Sequence, residues 1–209
     1  MNRLNWKKDL NDAVNEITGG TRLLLMFFYH PECQSSIKTM NETFNDDNVI
    51  NAIERETAPI MFNMAEKPEL AREHRIDWTP TFIIADERGR ELERWVGYLP
   101  PKEFIAQLTL SRGLAAFHLE RFVEAIREFE MVIDDHPDSE LVPEAEYFLG
   151  AANFKLTGES DKLSQVCSIL MTSHPDSLWT KRCSIWSRTG WKHPFIGYDG
   201  GGSAGSGAY

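Results

Sequence analysis

An α/β domain followed by an all-α helical repeat is the fold class this sequence predicts, and three observations predict it. Leu23-Leu24-Leu25-Met26-Phe27-Phe28-Tyr29 is a continuous apolar run of strand length, the pattern of a strand buried on both faces of a sheet. Around it, stretches with apolar residues every three to four positions alternate with shorter strand-like runs. Farther on, His136-Pro137-Asp138-Ser139 recurs 38 residues later as His174-Pro175-Asp176-Ser177. An internal period of that size signals stacked helix pairs.

Each element of the first half follows from a local pattern. Trp6, Leu10, Val14 and Ile17 recur at helical spacing, and Gly19-Gly20 stops the helix. The strand from Leu23 to Tyr29 ends at His30-Pro31-Glu32. Ile37, Met40 and Phe44 then return to a helical step, which predicts a helix beginning at Cys33. Asn45 to Asn48 cap a further short helix carrying Val49, Ile50 and Ile53. A second strand is expected over Ala58 to Asn63, a short helix over Pro68 to His74 and a third strand over Thr81 to Ala85. Asp86-Glu87-Arg88-Gly89 reads as a turn returning the chain as a last strand over Arg90 to Val96. Pro101 can open the next helix from its first position.

Composition narrows the function classes. The 209 residues carry 22 Lys plus Arg against 32 Asp plus Glu, a formal balance of −10. A chain this acidic lacks the cations that replace counterions on a phosphate backbone, so no nucleic-acid partner is expected. The apolar run from Leu23 to Tyr29 is the longest in the chain and is far short of the roughly 20 residues of a membrane helix, so no membrane span is expected. Met1 to Gly20 lack the apolar centre of a secretory signal, and a cytoplasmic location is the expectation. Cys33, Cys167 and Cys183 are odd in number and form no CxxC pair. Neither a disulfide framework nor a structural zinc site is expected from that pattern.

Three stretches taken together resemble the thioredoxin-like family: Phe28-Tyr29-His30-Pro31-Glu32-Cys33-Gln34-Ser35-Ser36, then Trp78-Thr79-Pro80-Thr81, then Gly97. The resemblance covers roughly residues 5 to 110. It implies a cis proline at Pro80 beside the redox motif, with the backbone at Thr79 receiving an extended substrate peptide. The family's CxxC motif is matched by Cys33-Gln34-Ser35-Ser36, so its second thiol is a hydroxyl. In dithiol exchange the second thiol resolves the mixed disulfide, and Ser36 cannot do so. The buried acid that dithiol members carry on the preceding strand is matched by Phe27.

The microenvironment of Cys33 contains opposing influences. A helix N-terminus favours the thiolate, the neighbouring Glu32 carboxylate disfavours it, and a protonated His30 would offset Glu32. Trp78 is expected to pack against its loop at the substrate surface.

In the second half, counting back from Pro137 gives Val132, Phe129, Ala125, Phe122 and Gly113. Counting back from Pro175 gives Leu170, Cys167, Leu163 and Ala151. These large and small positions resemble a tetratricopeptide-like repeat over roughly residues 105 to 188. Helices are expected over Pro101 to Leu119, Phe122 to Asp134, Glu140 to Lys155, Asp161 to Ser173 and Leu178 to Trp186. Two full repeats and a closing helix fit, fewer than the three an independent array needs. Residues 113 to 161 hold 3 basic and 12 acidic side chains, residues 162 to 192 hold 5 basic and 1 acidic. Glu124, Glu128 and Asp135 thus read as members of an acidic solvated face able to steer a basic partner. Gly197 to Tyr209, with six glycines in thirteen residues, reads as a flexible tail that orders only against another surface.

The expected organisation is a thioredoxin-like domain over residues 1 to 110, tetratricopeptide-like helices over 111 to 190 and a Gly-rich tail over 191 to 209. Two functional readings follow. In the first, the chain is a protein-binding adaptor or assembly subunit that meets a protein partner, or a second copy of itself, through the repeat and tail. In the second, it is a monothiol thiol–disulfide oxidoreductase or isomerase with Cys33 as nucleophile, Ser36 donating to its thiolate, and Trp78, Thr79 and Pro80 receiving substrate. Neither reading calls for a cofactor or a metal.

Overall fold

A computed structural model of the protein describes residues 3–20 and 22–187, and the tail expected over 191 to 209 lies outside them. The described chain runs α1 (Leu10–Ile17), β1 (Leu23–Tyr29), α2 (Gln34–Asn41), a 3₁₀ turn (Thr43–Asn45), α3 (Asp47–Glu56), β2 (Thr57–Asn63), α4 (Pro68–Glu73), β3 (Thr81–Ala85) and β4 (Glu91–Val96). It continues through α5 (Pro101–His118), α6 (Phe122–Asp135), α7 (Val142–Thr157), α8 (Asp161–Ser173), α9 (Leu178–Cys183) and a 3₁₀ turn over Ser184–Ser187. The sheet order is β2-β1-β3-β4. β1 pairs parallel with β2 and antiparallel with β3, and β3 pairs antiparallel with β4. This is a thioredoxin-like α/β sheet followed by a helical region.

Alternation along β1 divides the core in two. Leu23, Leu25 and Phe27 face α3 and α5, where Phe27, Phe44, Phe82, Trp95 and Phe104 make a contiguous aromatic cluster with Phe82 stacked on Trp95 at 4.8 Å. Leu24, Met26 and Phe28 face α1 and α4. Burial on both faces explains why β1 has no polar side chain before the half-buried Tyr29 at its end. Trp6 lies outside α1 and stacks on Phe27 at 5.8 Å instead. Of the positions picked out by helical spacing, Ile17 is buried, but Leu10 is 40% exposed and Val14 half-buried, and Ala13 is the other buried residue of the helix.

The helix α5 serves both halves. Its Phe104, Leu108 and Ala115 join the sheet cluster, while Leu110, Leu114 and Ala116 join the core with α6 and α7. Arg112 adds a polar link: its guanidinium lies 2.7 Å from Glu56 of α3 and 2.9 Å from Glu128 of α6. Glu128 is only 1% exposed, so the expectation that it belongs to a solvated acidic face is corrected. Sequence spacing cannot reveal this, because its counter-ion comes from the preceding helix.

The helical region is internally repeated. α6 ends at His136 (φ −131°, ψ 50°) and α8 at His174 (φ −135°, ψ 54°). Ser139 N–H donates to His136 O at 2.9 Å, and Ser177 N–H to His174 O at 3.1 Å. The small positions are Gly113 against Phe129 and Gly150 against Val166, where an added Cβ would come within 2.6 Å of the opposing side chain in each case. The second close approach falls on Gly150 rather than on Ala151, which is half-buried.

Cys167 and Cys183 form a disulfide, with Cα atoms 5.5 Å apart, that ties α8 to the end of α9. This corrects the expectation of no disulfide. The turn through His174 to Ser177 folds α9 back along α8 and brings together two cysteines that have no paired motif. Next to them Tyr147 stacks on Trp186 at 4.4 Å and meets Trp179 at 5.0 Å, closing the end of the array with aromatic surface.

Candidate functional site

The site forms where the carboxyl end of β1 meets the loop entering β3. After Tyr29 the chain turns through His30-Pro31-Glu32. The Cys33 N–H donates to His30 O at 3.0 Å and the Glu32 N–H to His30 Nδ1 at 3.2 Å. Cys33 is the N-cap of α2 in extended conformation, and its carbonyl accepts from Ile37 N–H at 2.9 Å. Its side chain does not cap the helix. The thiol instead donates to the Thr79 carbonyl at 3.0 Å.

The loop carrying Thr79 is held on both sides. The Thr79–Pro80 peptide bond is cis. Pro80 O accepts from Gly97 N–H at 2.8 Å, and Trp78 O accepts from the Thr81 hydroxyl at 2.7 Å. Gly97 sits at φ 102°, in the region that favours glycine. Cys33, Thr79 and Pro80, distant in sequence, are therefore neighbours.

Burial pushes the Cys33 thiol up, but the Thr79 side chain, the Ser36 N–H and hydroxyl and the Ser35 N–H, all placed to donate to a thiolate, outweigh it and leave the pKa below the ordinary thiol value. These amide donors are the unsatisfied first-turn groups of a helix, which stabilise an anion at its N-terminus. Ser36 is fully buried, and its hydroxyl makes no hydrogen bond among the described residues.

Cys33 is half-buried at the edge of a groove of about 420 Å³ lined by His30, Met64, Ile76, Trp78 and Thr79 among others. Trp78 is 69% exposed, which corrects the expectation that it packs against its loop. Its indole stands as a wall of the groove. Met64 and Ile76, in the connection between β2 and β3, were not singled out by the sequence patterns, and no spacing or motif sets them apart from Leu70 and Ala71 beside them. Glu32 is exposed and His30 half-buried. Phe27 is fully buried in the aromatic cluster, so no ionisable group stands at that position beneath the thiol. Cys167 and Cys183 are paired with each other, and neither is a free thiol able to resolve an adduct on Cys33.

No helix among the described residues is long and apolar enough to cross a membrane. Among those residues no group of three His, Cys, Asp or Glu side chains is arranged to hold a metal ion.

Residues 10–111 match the family model for a thioredoxin-like domain. Among solved structures, a thioredoxin from Thermus thermophilus is 23% identical, with 54% of this chain and 92% of that chain covered and a TM-score of 0.45. The oxidised C-terminal domain of DsbD from Neisseria meningitidis is 20% identical, covers 46% of this chain and 86% of its own, and has a TM-score of 0.41. A DsbH oxidoreductase is 13% identical over 52% of this chain and 84% of that chain, with a TM-score of 0.45. No curated protein matches the chain.

Proposed function

We propose that this protein engages disulfide-bearing protein partners by single-cysteine exchange at Cys33. The observation that carries the proposal is the half-buried Cys33 thiol, its pKa lowered at the N-terminus of α2, opening onto a groove beside Thr79 and Pro80. The Cys33 thiolate attacks one sulfur of a partner disulfide, the S–S bond breaks, and the departing sulfur leaves as a thiolate. A second thiolate, from the partner or a small thiol, then attacks the mixed disulfide and restores Cys33 as thiolate. Each step exchanges one S–S bond for another and requires no external oxidant. Ser36 supports this cycle because its buried hydroxyl gains an acceptor when the thiol ionises. Trp78, Thr79 and Pro80 offer the surface along which the partner segment lies.

The adaptor reading is favoured by a separate observation, the repeated helix pairs of the second half. Their tetratricopeptide-like character is part of this proposal. Val123 is 68%, Leu178 57% and Ile169 49% exposed, and apolar surface of this kind on a short array suits a protein partner. In that reading the helical half holds the partner and Cys33 acts on it. The Cys167–Cys183 disulfide is of a kind that persists in oxidising compartments, which weighs against the cytoplasmic setting expected from the sequence.

Incubation with oxidised glutathione followed by intact-mass analysis tests the exchange step. The parent chain gains one glutathione on Cys33, and Cys33→Ala gains none. An unmodified parent chain would remove the exchange reading and leave the adaptor reading alone.

A further inference from the structure

A second cavity lies at the other end of the sheet from Cys33, built from the end of α1, the β3–β4 hairpin and the turn between α5 and α6. Its volume is about 480 Å³, and Arg22, Arg88, Arg90 and Arg121 all line it. Two acidic residues, Asp86 and Glu87, line it as well. Four guanidinium groups against two carboxylates is an unusual local balance in a chain of net charge −10.

The hydrogen bonds show which of these charges are already engaged. Asp86 is 8% exposed and organises the hairpin: Oδ1 accepts from the Arg88 N–H at 3.0 Å and the Arg90 N–H at 2.9 Å, and Oδ2 from Arg90 Nε at 3.1 Å. Its carboxylate is spent on the turn. Arg22 donates to Glu16 at 2.6 Å, to Glu54 O at 2.9 Å and to Thr57 O, and holds the end of α3. Its buried Nε has no partner among the described residues. The Arg88 side chain makes no ion pair among those residues, and Arg121 has only a 3.8 Å contact with Glu124.

The turn fixes the backbone of Arg121 beside the cavity. Its N–H donates to Ala116 O at 2.8 Å and Glu120 adopts φ 59°. Arg121 is also the N-cap of α6, which has no side-chain cap, so the positive end of a 14-residue helix adjoins the same cavity.

We propose that this cavity binds a phosphate-bearing small molecule. Planar guanidinium groups match phosphate oxygens through paired, charge-assisted hydrogen bonds. Arg88, Arg121 and the terminal nitrogens of Arg90 supply donors against one lining carboxylate, Glu87, that has no ion pair among the described residues. Ile17, Leu23 and Leu119 on the wall give a phosphomonoester's organic body an apolar contact that free phosphate cannot use. A volume of this size suits a small organic ligand. The site is separate from the thiol groove, so it stands or falls independently of Cys33.

The test is calorimetric titration of the full chain with inorganic phosphate and with phenyl phosphate, at chloride-matched ionic strength. Saturable binding that weakens about tenfold in Arg88→Gln, and further in Arg88→Gln combined with Arg121→Ala, supports the proposal. Phenyl phosphate binding more tightly identifies an organic phosphomonoester, and equal affinities identify free phosphate. Arg88 is exposed, so the single variant retains its melting temperature in chloride and any lost binding reports the site. Absence of saturable binding by either probe, or binding unchanged in Arg88→Gln, overturns the proposal.

Discussion

The Cys33 thiol donates to the carbonyl oxygen of Thr79, 46 residues later in the chain, across 3.0 Å. The same sulfur faces the N–H groups of Ser35 and Ser36. Burial and the carbonyl favour the protonated thiol, while the amides favour the thiolate and leave the pKa below the ordinary thiol value. Ionisation would therefore loosen Cys33 from the Thr79 backbone and leave that carbonyl without its donor.

Ser36→Ala removes a hydroxyl that acts on the sulfur and makes no hydrogen bond among the described residues. The Cys33 pKa should rise and its modification at neutral pH should slow, while stability changes by less than about 1 kcal/mol because no existing hydrogen bond is broken. Alkylation rates together with urea unfolding of the two proteins check both halves of this expectation.

Glu128→Ala leaves Arg112 buried against Glu56 without its second carboxylate. A buried charge left unpaired costs about 3–5 kcal/mol; Arg112, which bridges α3 and α6, keeps Glu56, so the loss should fall below that range but above about 1 kcal/mol. The variant should unfold at markedly lower denaturant concentration. A loss below about 1 kcal/mol would mean that this bridge does not hold the two halves together.

Gly113→Ala and Gly150→Ala each drive a methyl group to 2.6 Å from Phe129 or Val166. Overpacking of this kind costs about 1–3 kcal/mol. The two losses should be similar, since the positions are equivalent in successive helix pairs, and should add when combined. Thermal melts of the single and double variants provide the comparison.

Glu144 on α7 has its carboxyl pKa raised from 4.5 to about 7, first by burial and then by the charge of Glu93, against the opposing effect of Arg182. Between those values the folded chain holds a proton that the unfolded chain has released. The corresponding stability is fully present below pH 4.5 and is lost as pH rises through about 7. Glu144→Gln removes this dependence. Its melting temperature should match the parent's at about pH 4 and exceed it increasingly up to pH 7 to 8.

Much of this architecture was legible because single positions carry unambiguous physics. An unbroken apolar run such as Leu23 to Tyr29 suits a strand covered on both faces, and Cys33 could be placed at a helix start because Ile37 and Met40 follow at helical spacing. What was hidden depends on partners from other elements. Glu128 looks like any acidic side chain until Arg112 is packed against it. Cys167 and Cys183 form no motif until α9 turns back on α8. The close approach at Gly150 was missed because a fixed displacement of 38 carries Gly113 onto Ala151, whereas the helices meet at a displacement of 37. The groove beside Cys33 was half legible: Thr79 and Pro80 followed from the family resemblance, but the exposure of Trp78 is set by the loop's conformation.

The central claim is that Cys33 is an activated thiol. Iodoacetamide alkylation of Cys33, followed by mass spectrometry of the Cys33 peptide across pH 5 to 10, tests it most directly. The rate profile should have its midpoint below the free-thiol value of about 8.5, moved upward by Ser36→Ala. A midpoint at or above that value, or a thiol that stays unmodified throughout the range in the folded protein, would contradict it.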